Sequence, residues 1–258
     1  MRLTYRAIPL SVAFLLMTMN AGHAQTQEAK PPETHAWDYG SKHGPQHWGD
    51  LKSEFATCST GHRQSPIDIQ KAEKAALSPI VFDYKASSLR IVDNGHTIMA
   101  SYDAGSSIRV GDVEYQLKQF HFHHPSEEKI HGKVYDMVAH LVHADAGGHL
   151  AVVAVLLEHG KDNALIRELF KHIPKEKGKE AHLDSVQINV ADLLPKDRGY
   201  YTFEGSLTTP PCSEGVTWFV LKQPVSISAG EVSEFSKVYP HNARPTQPLQ
   251  GRVVRETQ

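Results

Sequence analysis

Apolar positions along the middle of the chain recur with the periods of strands far more often than of helices. Residues 80–84, 88–92, 97–102, 107–110 and 113–122 read as short strands, separated by the turn-forming Asp93-Asn94-Gly95 and Ala104-Gly105. Two longer apolar runs, 134–143 and 150–157, have the character of central strands buried on both faces, and residues 144–148 supply the turn between them. Helical period is clear only over 163–173. There Leu165, Ile166, Leu169, Phe170 and Ile173 share one face, Asp162 is placed to cap the start and Pro174 to end it. Residues 171–180 read as a solvated loop, and 199–203 and 216–221 return to strand. Ser228-Ala229-Gly230-Glu231 has the form of a capping box, opening a second short helix that carries Val232, Phe235 and Tyr239. Residues 37–69, rich in Gly, His and Trp, show neither period and are expected to wrap the surface of a core formed later. The fold class predicted is mainly β with peripheral helices: a single domain built on a large twisted, mostly antiparallel central sheet.

The first residues do not belong to that domain. Arg2 and Arg6 precede an apolar run over 7–19, and Gly22-His23-Ala24 offers small residues where a signal peptidase reads, so residues 1–24 are expected to be a signal peptide and 25–258 the mature domain. The run is short and interrupted by Pro9, which makes it a poor membrane span. With no cysteine near the cleavage point a lipid anchor is not expected either. The protein is therefore expected to be periplasmic or secreted. Residues 25–33, polar and containing Pro31-Pro32, form a lead-in.

Composition narrows the chemistry. A net charge of -2 with 22% charged residues gives no basic excess for nucleic acid, whereas 17 histidines are unusual, and histidine is the commonest metal ligand. The two cysteines, Cys58 and Cys212, read in an oxidising compartment as one disulfide, with two unrelated buried thiols as the alternative. A homodimer is compatible with the sequence.

The candidate chemistry centres on Gln119-Phe120-His121-Phe122-His123-His124. On a strand, side chains two apart share a face, so His121 and His123 stand together while Phe120 and Phe122 face the other way. One such pair alone is most often two polar positions on a half-exposed strand. A third histidine, His140, lies on the next strand on the face that also carries Asp136, Val138 and Val142. The intervening loop is short enough to make the two strands antiparallel neighbours. Three neutral imidazole nitrogens with a fourth position left open is the pattern of a catalytic zinc.

Further motifs extend the picture. These are Gly205-Ser206-Leu207-Thr208-Thr209-Pro210-Pro211, Pro125-Ser126-Glu127, His140-Leu141-Val142-His143, Asn242-Ala243-Arg244-Pro245-Thr246-Gln247-Pro248-Leu249, Trp37-Asp38-Tyr39-Gly40, Gly44-Pro45-Gln46-His47-Trp48 and the stretch 63–69. Taken together, over essentially the whole mature chain, they closely resemble the α-class carbonic anhydrases, of the exported bacterial type. The resemblance implies a lyase that reversibly hydrates CO2 to bicarbonate and a proton, using Zn2+ held by His121, His123 and His140. Carbonic anhydrase is itself the standard example of zinc lowering the pKa of bound water to about 7 and so generating a hydroxide nucleophile.

Roles for other residues follow from the same resemblance. Thr208 is the hydrogen-bonding gate: an ionised Glu127 can only accept, so the Thr208 hydroxyl gives it a proton and offers a lone pair to the nucleophile. Val142, Val152 and Leu207 line an apolar wall for CO2, Trp218 packs beneath it, and Thr209 faces the opening. His96 is the proton shuttle, with Tyr39 and Asn94 holding the waters between it and the metal. Gln119 accepts from His121, and a main-chain carbonyl near Asn242 serves His123. One position departs from the family pattern: the glutamate usual two residues before the third ligand is replaced by Val138, which leaves His140 in need of another partner. His124 and His143 are placed outside the metal site.

Two other functions fit the sequence less well. A carbonic-anhydrase-like binding protein typically lacks one of the ligand histidines, and all three are present here. A zinc carrier predicts a histidine-rich flexible loop, whereas these histidines are scattered.

Overall fold

The structure is a computed structural model that describes residues 37–258. The expected signal peptide and the whole of the lead-in over 25–33 lie outside the described residues. In chain order the strands are β1 (Asp68–Ile69), β2 (Glu73–Ala75), β3 (Ile80–Asp83), β4 (Ser87–Asp93), β5 (Ile98–Ser101), β6 (Ser107–Val110), β7 (Val113–His123), β8 (Lys129–Ile130), β9 (Met137–Ala144), β10 (Leu150–His159), β11 (Glu180–Ile188), β12 (Tyr200–Ser206), β13 (Glu214–Leu221), β14 (Val225–Ile227) and β15 (Arg255–Thr257). The α-helices are α1 (Trp48–Leu51), α2 (Thr57–Thr60), α3 (Ala164–Lys171) and α4 (Ala229–Ser236).

One large sheet runs β11-β4-β5-β7-β9-β10-β13-β12-β15-β2, with β14 beside β10 and β6 joining β3 to β7. Neighbours are antiparallel except where β10 meets β13 and β14 and where β15 meets β2. A separate parallel pair, β1 with β8, braces the loop after β7. The predicted mainly β, single-domain architecture is the observed one.

Both faces of the central strands are buried, which is why β9 and β10 read as continuous apolar runs rather than as alternation. On one face Phe120, Phe122, Leu141, Val153 and Val155 pack against Leu165, Ile166, Leu169 and Phe170 of α3 and Phe235 of α4. Full burial of one such side chain contributes about 1.5–3 kcal/mol. On the other face Val138, Val152, Ala154, Leu156 and Trp218 form a second cluster with Ile67, Ile69 and Phe203. The functional residues lie at the edge of this second cluster.

Two details depart from the sequence reading. Asn163, not Asp162, caps α3: its Oδ1 accepts from the main-chain N–H groups of Leu165 and Ile166 at 3.1 and 3.2 Å. Asp162 pairs with Arg167 instead. The Asn163 N–H in turn donates to Glu231, the same carboxylate that closes the capping box of α4 with Ser228, so one buried acid ties the two helix starts together. The second departure is a β-bulge in β7. Opposite β9, Leu117 pairs with His143 and Gln119 with Val142, leaving Lys118 as the extra residue. A bulge resets the alternation, so Leu117 and Phe120, three apart, both enter the helix-covered core.

Candidate metal centre

The reset alternation decides what β7 presents. Beyond the bulge, Phe120 and Phe122 go into the core, and Gln119, His121 and His123 take the opposite face. His140 on β9 stands directly across from His121 in register. Nitrogens of His121, His123 and His140, one from each ring, all lie within 4.8 Å of one another.

The other nitrogen of each ring is already committed, and the chemistry of its partner sets the tautomer. His121 Nδ1 lies 2.8 Å from Gln119 Oε1, and His123 Nδ1 lies 2.8 Å from the main-chain oxygen of Asn242. His140 Nε2 lies 3.0 and 3.1 Å from the two carboxylate oxygens of Glu128. These oxygens accept hydrogen bonds, so each of those ring nitrogens carries the proton. The inward atoms are therefore His121 Nε2, His123 Nε2 and His140 Nδ1. His123 Nε2 is fully buried with no hydrogen-bond partner, an expense a folded protein bears where a ligand is to be met.

Electrostatics agree with a cation site. Burial, aided by His140, pushes His121 down to about 3, and burial holds His123 well below the usual imidazole range, so both are neutral with lone pairs available near neutral pH. Burial also lowers His140, but the charge and hydrogen bond of Glu128 outweigh it and raise that ring above its ordinary value. A donor set of three imidazoles, two of them buried and each backed by an acceptor, fits zinc.

Glu127 sits fully buried beside the triad, its Oε2 3.5 Å from His123 Nε2 and 3.8 Å from His140 Nδ1. Its Oε1 accepts the Arg244 main-chain N–H at 2.7 Å. Burial pushes its carboxyl up to about 7, opposed by His140 and by hydrogen bonding from the Thr208 side chain and the Arg244 main chain. The Arg244 guanidinium is itself buried against Gln64, Ser65 and Cys58, which fixes the main chain that serves Glu127.

Val142 and Leu207 are partly buried against the cluster holding Val152 and Trp218. The Trp218 ring stands edge-on to His140 at 5.0 Å, and its indole N–H donates to the Ser206 carbonyl at 3.1 Å. A cavity of about 140 Å³ opens beside His121 and His123, and Tyr39, Asn94, His96, Gln119 and Thr209 are among its other lining residues. Asn94 Oδ1 accepts the N–H groups of His96 and Thr97, both at 2.9 Å, and Gly95 takes a positive φ of 89°, so this turn sets His96 on the cavity wall. The Asn242 side-chain amide donates to the main-chain oxygens of His96 and Phe122, joining the His96 turn to the end of β7. Of the remaining histidines, His143 faces Tyr84 on the far side of β9 at 2.8 Å, and His124 bonds the Pro240 carbonyl.

Two contributors escaped the sequence reading. Glu128 is the acceptor for His140, and the one hint of it was a second acid directly after Glu127. Trp37 stacks on His96 with ring centroids 3.6 Å apart and planes within 7°; an aromatic residue 59 positions away carries no local signal of such a contact. Cys58 and Cys212 form a disulfide that ties α2 to the loop after Thr208 and Thr209.

Comparison with known proteins agrees with this arrangement. The family model described as eukaryotic-type carbonic anhydrase matches residues 43–258. The carbonic anhydrase of Klebsiella pneumoniae is 44% identical over 223 residues, covering 85% of this chain and 90% of that protein. The carbonic anhydrase of Neisseria gonorrhoeae is 41% identical over 257 residues, covering 97% of this chain and 98% of that protein. The solved structure of Photobacterium profundum alpha-carbonic anhydrase superposes with a TM-score of 0.80 at 45% identity, covering 86% of this chain and 100% of that one. With the whole mixed sheet, three convergent histidines and matches over most of the chain in agreement, this chain belongs to the α-class, eukaryotic-type carbonic anhydrases.

Proposed function

We propose that the chain catalyses the reversible hydration of CO2 to bicarbonate and a proton with a zinc ion held by His121 Nε2, His123 Nε2 and His140 Nδ1. The observation that carries this reading is that three imidazoles, His123 and His140 buried and His121 partly buried, each have the outer nitrogen bound to an acceptor, leaving three nitrogens turned on one point. Zinc held there supplies the Lewis acidity that makes water a nucleophile near neutral pH, chemistry for which carbonic anhydrase is itself the standard example.

The residues around that point prepare the attack. Charge at His140, together with the hydrogen bond from Thr208, favours the ionised form of Glu127 against the burial that raises its pKa. An ionised Glu127 accepts from the Thr208 hydroxyl, which then turns its lone pairs towards the nucleophile and holds it by the hydrogen it still carries. A group at that point with no hydrogen to donate meets repulsion instead. Val142, Val152 and Leu207, with Trp218 packed beneath them, offer CO2 an apolar wall, suited to a molecule that accepts few hydrogen bonds, and Thr209 stands at the opening.

Each turnover leaves a proton to be exported. His96, which lines the same cavity as His121 and His123, is the group to take it, since an imidazole titrates near neutrality; Tyr39 and Asn94 line that cavity as well and would order the connecting waters. His96→Ala is expected to slow turnover in weak buffer and to regain rate when imidazole is added, measured by stopped-flow CO2 hydration; a rate unchanged by the substitution assigns the shuttle to another residue. The disulfide supports an exported, oxidising location. Among the described residues no helix is long and apolar enough to cross a membrane.

The deciding experiment pairs metal analysis of the purified chain with a CO2 hydration assay. About one zinc per chain together with hydration is the expected result, and hydration by protein with all metal removed overturns the mechanism.

A further inference from the structure

We propose that Glu128 is the positioning residue for His140: a carboxylate delivered from the loop after β7 that replaces one absent from β9. This inference rests on the reading of the three histidines as a zinc site. Side chains that share His140's face of β9 can reach it from position 138 or 142, and both are valines. Val138 is fully buried in the apolar cluster with Ile67, Ile69 and Trp218, and is paired across the ladder with His123. No acceptor for the His140 ring comes from its own strand.

Glu128 fills that need from outside. It is 0% exposed, and its two oxygens straddle His140 Nε2 at 3.0 and 3.1 Å. Its backbone is pinned on both sides. The Ser126 hydroxyl donates to the Glu128 carbonyl while accepting the Tyr135 N–H, and the next two residues pair as β8 with β1. A fully buried carboxylate is costly unless paired, and among the described residues the ion pair it forms is with His140. The partnership therefore serves both sides: the acid needs the ring N–H, and the ring needs an acceptor to present Nδ1 inward.

The two consecutive glutamates divide the work on one ring. Glu127 Oε2 faces Nδ1 at 3.8 Å on the inner side, and Glu128 holds Nε2 on the outer side. Outer acceptors of this kind fix ring orientation and increase ligand basicity, and their loss typically weakens metal binding about 10- to 100-fold.

The test is zinc release from the loaded full-length chain to a chromophoric chelator, with thermal unfolding of the metal-free protein measured alongside. Glu128→Ala is expected to accelerate release by about 10- to 100-fold. Adding Val138→Glu to Glu128→Ala restores an acceptor on the ring from β9 and is expected to slow release again towards the parent rate. Rescue of that kind separates positioning from mere support of the fold. Val138→Glu alone is expected to bring no slowing, because the role is already filled. Should Glu128→Ala not fold, Glu128→Gln keeps the volume and loses the charge, and is expected to release zinc several-fold faster than the parent, on the order of the lower end of that range. Release within twofold of the parent in the variant that folds overturns the role of Glu128 while leaving the histidine site standing. A parent chain that takes up no zinc overturns the histidine site and this inference together.

Discussion

His121→Ala is expected to bring CO2 hydration down to the uncatalysed background and to reduce bound zinc far below one per chain. Among the three histidines this one tests the chemistry with least disturbance to the fold. His121 is only partly buried and lines the open cavity, so a truncated side chain leaves space that water can fill. Gln119, which loses its partner, lines the same cavity and can bond to water instead. Truncating His140 would strand the buried Glu128 carboxylate, and truncating His123 would open a hole in a fully buried site, so either confounds chemistry with stability. Two remaining imidazoles leave zinc one protein ligand short of the catalytic pattern. The measurements are zinc per chain and stopped-flow hydration, compared with parent protein stripped by chelator and then reloaded. Restoration of the parent by zinc with no restoration of His121→Ala is the expected pair of results. Full activity in His121→Ala would sink the assignment of that residue.

Removing the disulfide is expected to have the largest effect on stability. Cys58 and Cys212 are separated by 154 positions, and a crosslink closing a loop of that length stabilises by about 5 kcal/mol in the chain-entropy picture, against about 2–5 kcal/mol commonly measured for native disulfides. The double variant Cys58→Ala with Cys212→Ala is accordingly expected to lose about 3–5 kcal/mol in urea unfolding. The bridge also lies within reach of the chemistry. The Cys212 N–H donates to the Thr209 carbonyl, the Cys212 carbonyl accepts from Gln64, and the Cys58 carbonyl accepts from the Arg244 guanidinium. Activity is therefore expected to fall at temperatures well below the unfolding midpoint of the variant, as the loop carrying Thr208 loosens first. An unchanged urea midpoint would show that the packing of Trp48, Phe55 and their neighbours holds this region without the crosslink.

Much of the architecture can be read from local patterns because the physics that builds it is local. β9 and β10 are buried on both faces and announce themselves as apolar runs; α3 and α4 carry a single apolar face and capping side chains within a few residues of their starts. The pair His121 and His123 is legible for the same reason, since side chains two apart on a strand share a face. The resemblance to a known family, carried by motifs spread from Trp37 to Leu249, then brought His140, Glu127 and Thr208 into one expectation.

What stayed hidden depends on contacts distant in sequence. β11 sets Ala181 and Leu183 against the core from the edge of the sheet, but an irregularity between Leu183 and Gln187 breaks the period before Val186 and Ile188, and its pairing with β4 spans that break. β2, β14 and β15 are three residues long and exist because a neighbouring strand offers unpaired backbone groups. Asn163 outcompetes Asp162 as the cap because Glu231, 68 residues later, fixes the Asn163 main chain. The sequence by itself determined the sheet-dominated fold, the helices α3 and α4 and the two histidines of β7. Only the tertiary structure decided that a bulge at Lys118 aims those histidines away from the helix-covered core, and that the carboxylate His140 requires comes from Glu128. Both outcomes are set by how separate strands and loops meet in space, which no local period along the chain encodes.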